Sequence, residues 1–299
     1  MNKKVFRQEL PLLVMLLPAV ILVFIYNYIP FFGIVIAFQS YMPAIGMLKS
    51  DWVGLQNFTD LFNQPDFFQV LWNTIFIAFM KIVTGLIVPV IVALLLNEVG
   101  NKKVKRTYQT LVYLPFFLSW VILGGVFIDI LSPNGGLVNQ FLGVFGIRPI
   151  FFLGSDNWFP FTLIVTNAWQ TFGYGTVIYL AALTNIDPTL YEAAIMDGAG
   201  RWKQTLYVTL PGMLPIIILM VVLSLGNILN AGFDQVFNLY SPIVYHSGDI
   251  IDTMLYRIGL VNAQYSLSTA AGLFKSVISC VFVVTSYKLA DKFAGYRIF

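Results

Sequence analysis

Nine polar or amphipathic side chains interrupt long apolar stretches of this sequence: Asn73, Lys81, Asn167, Trp169, Gln170, Tyr174, Asn227, Asn230 and Asp234. Asn73 and Lys81 are eight positions apart, which on a helix puts them on one face. Asn167, Gln170 and Tyr174 share a second face, with Trp169 beside them, and Asn227, Asn230 and Asp234 follow i, i+3, i+7 on a third. Amides and phenols both donate and accept hydrogen bonds, and aromatic rings pack on the C–H faces of pyranoses. Such faces suit a pathway for a hydroxyl-rich solute. Interhelical hydrogen bonds that hold a bundle together are the competing use of the same groups, and an ion pair within the bundle is the competing use of Lys81.

Other chemistries are excluded by composition. Cys280 is the single cysteine and His246 the single histidine, so an intrachain disulfide, a multi-cysteine metal site and a histidine-rich metal site are all ruled out. Cys280 reads as a small apolar packing group, and His246 as an isolated outward residue. There is no HExxH, no Cys/His pair and no cluster of carboxylates, so the chain does not read as an intramembrane enzyme. The stretch Gly272-Leu-Phe-Lys275-Ser276 lacks the spacing of a phosphate-binding loop. ATP hydrolysis is therefore expected on another polypeptide. Asp129 and Asp234 fall near the ends of apolar stretches, which weakens the alternative of an ion-coupled secondary transporter, since these place carboxylates centrally.

The elements that carry these residues are membrane helices. The 299 residues are 58% hydrophobic and only 10% charged, with a mean hydropathy of +0.80, whereas soluble domains carry about 25% charged residues. The net charge of +3 is too small to suggest a nucleic-acid partner. Six stretches approach the roughly 20 apolar residues needed to cross a bilayer: 11–38, 71–96, 111–131, 161–183, 213–233 and 269–289. Lys and Arg set the orientation. Twelve lie in the two terminal tails and in the loops after the second and fourth stretches, against Lys49, Arg148 and Arg257 in the other three loops. Both termini and the 184–211 loop are thus expected in the cytoplasm. The basic start, Lys3, Lys4 and Arg7, also suits a signal peptide, but the apolar stretch is long and no small-residue cleavage site follows. Trp52, Trp72 and Trp158 lie near stretch ends, where indole rings favour the interface. Asp249 to Ala263 reads as a short outward helix, either part of a vestibule or lying on the bilayer.

The 184–211 loop has its own architecture. Asp187 can cap a helix that Pro188 opens. Thr189 to Asp197 then reads as a helix of about 14 Å, Gly198 and Gly200 mark a bend, and Arg201 to Val208 begins a second helix before Pro211. Ala193 and Ala194 give the first helix a low-relief face that another protein can approach.

This segment resembles the cytoplasmic loop of ATP-binding cassette importer permeases. The pattern there is Glu-Ala-Ala, three residues, Gly, nine residues, Ile, one residue, Leu-Pro. Glu192, Ala193, Ala194, Gly198, Leu210 and Pro211 match, and Val208 stands in place of Ile. Trp52-Val-Gly-Leu-Gln-Asn-Phe58 and Leu131-Ser-Pro-Asn-Gly-Gly-Leu-Val-Asn139 resemble outward loops of the sugar-importer branch. Tyr28-Ile-Pro-Phe-Phe-Gly-Ile-Val-Ile-Ala-Phe-Gln39 resembles permeases for oligosaccharides released from polysaccharides.

The resemblance implies an all-α membrane protein with six transmembrane helices, the type I importer permease fold and a cytoplasmic coupling helix. A single domain would span 1–299, with a core over roughly 71–289. It implies that Glu192, Ala193, Ala194, Asp197 and Gly198 dock on an ATPase subunit. It also implies a second homologous permease in a heterodimer, two ATPase subunits that hold ATP and Mg, an extracytoplasmic binding protein and a sugar substrate. No cofactor is expected on this chain, and the location implied is the bacterial cytoplasmic membrane.

Overall fold

The computed structural model describes residues 3–294. In chain order the elements are α1 (Lys3–Val23), β1 (Gln39–Ser40), β2 (Asp51–Trp52), α2 (Gln56–Phe62), α3 (Phe67–Asn97), α4 (Lys102–Tyr113), α5 (Trp120–Ile130) and α6 (Leu137–Val144). They continue with α7 (Phe159–Thr184), α8 (Pro188–Met196), α9 (Arg201–Gln204), α10 (Leu210–Leu225), α11 (Phe233–Leu239), α12 (Tyr245–Gly248), α13 (Ile251–Tyr256) and α14 (Tyr265–Ala294). The described residues divide into two compact units. One runs up to Gln64 and includes Leu255–Phe274; the other holds Pro65–Met254 and the residues from Lys275 onward.

In the first unit, α1 continues through a wide turn, Phe24–Tyr28, into a tightened one, Ile29–Phe38. From Leu13 to Phe32 its apolar side chains are exposed, as lipid contact allows, and burial begins only at the end, with Ala37. The β1–β2 ribbon pairs Gln39 with Trp52 and Ser40 with Asp51. Phe38 stacks on Trp52 with centroids 5.7 Å apart, and the Asn57 amide donates to Ala37 O at 2.9 Å and Gln39 O at 3.0 Å.

The second unit is built around the α3–α7 pair. Near the start of α3, Ile77 and Ala78 bury against Phe159 and Leu163 of α7 and Ala231, Val236 and Leu239 in and around α11. Near its end, Ala93 packs with Tyr179, Leu183 and Met213. Gly173 lets α7 approach α4, since a Cβ there would stand 2.1 Å from Val112 O.

Four helical segments are long and apolar enough to cross a membrane: Leu13–Phe38, Phe67–Asn97, Arg201–Leu225 and Tyr265–Lys288. The helix α7 has the length for a span, 26 residues or about 39 Å, but Thr, Asn and Gln dilute its apolar sequence. Two expected spans need correction. The third is broken: Lys102–Phe117 and Trp120–Ile130 meet at 100°. After Tyr113 the first arm tightens through Pro115 into a last turn ending at Phe117, and Ser119 caps the next arm by accepting from Ile122 N at 3.4 Å. The fifth stops at Leu225 instead of running to Phe233. Gly232 takes the left-handed region, φ 86°, ahead of the separate helix α11, so Asn227, Asn230 and Asp234 do not share one helical face. The expected outward helix is also shorter, with α13 ending at Tyr256 and a wide turn, Arg257–Val261, following. Cys280 is exposed instead of packed.

Candidate functional site

Two regions gather the candidate residues. The first is the 184–211 loop. Asp187 accepts from Thr189 N at 2.9 Å and so satisfies a free amide at the start of α8. The same bond to Thr189 holds the Asp187 carboxyl below its usual range. At the other end, Ala199 N donates to Ala194 O and Gly198 N to Ile195 O, both at 2.9 Å. With Gly198 at φ 75°, this pair of bonds closes the helix as a Schellman motif. A side chain at Gly198 would meet nothing within 4 Å, so its constraint inside this chain is the backbone angle alone.

Glu192, Ala193, Asp197 and Gly198 are exposed and Ala194 is half-buried. The apolar Leu190, Ile195 and Met196 are exposed too, Met196 to 87%. An isolated nine-residue helix is marginal in water, so α8 needs its anchors. Tyr191 Oη and Thr209 Oγ1 lie 3.0 Å apart, the Gln204 amide donates to Ala199 O at 2.8 Å, and Arg201 pairs with Glu98 at 3.2 Å. The result is a short, capped, partly apolar knob fixed to the ends of α3 and α10.

The second region is a cavity of about 290 Å³ in the second unit, lined by Lys81, Asn167, Ser224, Asn227, Asn230 and Gly232 among others. The break after α10 forms it. Lys81 reaches from the middle of α3, donating to Ala231 O at 2.5 Å and to Gln235 Oε1. Gln235 is buried and donates in turn to Leu163 O and Thr166 Oγ1, both at 2.8 Å. That places Lys81 at the hinge between α10 and α11.

Of the nine residues picked from spacing, Lys81, Asn167, Asn227 and Asn230 line this cavity. The others do not. Asn73 is buried and clamps the backbone of His246 and Asp249. Gln170 is buried and donates to Leu118 O at 3.0 Å, filling the acceptor freed by the broken third span. Tyr174 stacks on Phe116 at 4.4 Å and Trp169 meets Phe127 edge-on at 5.6 Å. Asp234 is exposed at the start of α11. Ser224 and Gln235 belong to the region and were missed. Gln235 carried a signal, being an amide three positions after Gly232 and directly before Val236 and Phe237.

Residues 85–293 match the family described as the binding-protein-dependent transport system inner membrane component. The polygalacturonan/rhamnogalacturonan transport system permease protein YteP of Bacillus subtilis (strain 168) is 41% identical over 98% of this chain and 91% of its own length. Protein LplB of the same organism is 38% identical over 96% of this chain and 91% of its own. A solved bacterial alginate ABC transporter, in complex with an alginate pentasaccharide-bound periplasmic protein, contains a chain 35% identical to this one. The two superpose with a TM-score of 0.89 over 99% of each. Capped knob, broken spans and sequence lead to one assignment: the chain belongs to the binding-protein-dependent inner-membrane transport components, and is a transport permease subunit, not an enzyme.

Proposed function

We propose that this chain is one of two homologous, non-identical permeases in an ATP-binding cassette importer that carries a polysaccharide-derived oligosaccharide across the bacterial cytoplasmic membrane. Two ATPase subunits bind ATP and Mg beneath it, and an extracytoplasmic binding protein delivers the sugar from above. Both termini and the 184–211 loop face the cytoplasm. Glu192, Ala193, Ala194, Asp197 and Gly198 form the surface that enters the ATPase. The observation that carries this reading is the exposed α8, closed by Gly198 and tied through Tyr191 and Arg201 to two membrane helices. ATP can shift the pathway only through its different affinity for two conformations, and a rigid knob anchored at both ends passes that difference on. The sugar is inferred from what the relatives carry by name, and from a cavity lined by amides.

Gly198→Asp tests the docking role. The added side chain has free space within this chain and bears only the strain of the left-handed angle, about 1–2 kcal/mol and least for Asp and Asn, so the variant is expected to assemble while ATP hydrolysis continues and uptake falls by about tenfold or more. Full uptake would remove α8 as the coupling element. Uptake that ceases on ATP depletion and survives collapse of the proton gradient separates this reading from an ion-coupled transporter.

A further inference from the structure

Lys81 is a cation near the middle of a 31-residue apolar helix, a position that costs about 2.5–3.5 kcal/mol on insertion scales. A charge so placed is normally paired. Among the described ion pairs none involves Lys81, whereas Lys275 in α14 is matched by Asp252. The two described acceptors of Lys81, Ala231 O and Gln235 Oε1, are neutral. An ammonium has three N–H donors, so one remains, and Lys81 also lines the cavity with Asn167, Asn227 and Asn230. Among the described residues no carboxylate lines this cavity. The acid nearest in sequence to any lining residue, Asp234, two positions after Gly232, is exposed and does not line it.

Resting on the sugar-importer reading, we propose that Lys81 selects an acidic saccharide. Its third N–H donates to the carboxylate of a uronic acid unit, while the asparagine amides serve the second carboxylate oxygen and the ring hydroxyls. Gln235 and Ala231 hold the ammonium in place. A neutral sugar leaves the charge without a counter-ion and is passed less readily. Charge-assisted hydrogen bonds are about twice as strong as neutral ones, which makes the charge the discriminating feature of the cavity.

The test uses the full importer, with its partner permease, ATPases and binding protein, in lipid vesicles. Uptake of an oligouronate is compared with that of its methyl ester, which removes the charge and keeps the shape. Wild type is set beside Lys81→Gln, Lys81→Met and Lys81→Arg. One binding protein delivers both sugars, so the change in the acid-to-ester ratio cancels its own preference and isolates Lys81. Lys81→Gln and Lys81→Met should lower that ratio about tenfold with the ester still carried, and Lys81→Arg should keep it. Gln retains a donor for Ala231 O, so Lys81→Gln guards against simple misfolding. An unchanged ratio, or equal loss on both sugars, assigns Lys81 to holding the helix break and overturns the proposal. If wild type carries neither the oligouronate nor its ester, this proposal is overturned, and uptake of a panel of neutral oligosaccharides in the same vesicles decides separately whether the oligosaccharide reading stands.

Discussion

Asn73 commits its whole amide inside the second unit. It donates to His246 O at 2.9 Å and Asp249 O at 3.2 Å and accepts from the Gln69 amide at 2.9 Å. Lys81, two turns along the same helix, instead faces a cavity. Two residues that sequence spacing places on one face therefore have different work, and substitutions separate them. Asn73→Ala withdraws the donor from the carbonyl of buried Asp249 and from that of His246, a loss of about 1–3 kcal/mol. A lower melting temperature of the purified assembly is expected, with no change in preference among sugars. A changed preference would bring Asn73 back to the pathway.

At the scale of elements, α7 and α4 meet through Gly173. Gly173→Ala drives a methyl into Val112 O, and overpacking of this kind costs about 1–3 kcal/mol or more. Loss of assembled protein from the membrane is expected; normal yield and melting would show that α4 can yield. This contact was not legible in the sequence, because nothing local to Gly173 names its partner. The ends of α8 were legible, since Asp187-Pro188 and Gly198 act through bonds two to five residues away. The end of α10 was misread for the opposite reason. Ile228 and Leu229 prolong the apolar run and outweigh Gly226, where regular helix gives way to tight turns, Asn227 N to Ser224 O and Ile228 N to Leu225 O. The need of Lys81 for a partner followed from its setting, but the answer lies 150 and 154 residues away. Among the described residues, the first, second, fifth and sixth expected spans have helices long and apolar enough to cross, the third is a bent pair, and the fourth is the helix α7, more polar than the rest.

For the whole molecule, the distribution of basic residues makes an orientation prediction. In a Cys280→Ser background, Lys49→Cys should react with an impermeant maleimide on intact cells, and Lys103→Cys only after permeabilisation; the reverse pattern would invert the chain. Orientation does not settle where the pathway is sealed, and here the break after α10 has a consequence. A helix end leaves carbonyls without amide donors, and hydrocarbon supplies none. This break supplies its own: Asn227 N donates to Ser224 O, Ile228 N to Leu225 O and Asn230 N to Asn227 O, the Asn227 amide reaches Leu223 O, and Lys81 covers Ala231 O. A break that closes its own hydrogen bonds borrows none from water, so its shape is the same whether the space beside it is wet or dry. It is a joint made of backbone, and α10 and α11 keep it wherever they lie in the bilayer.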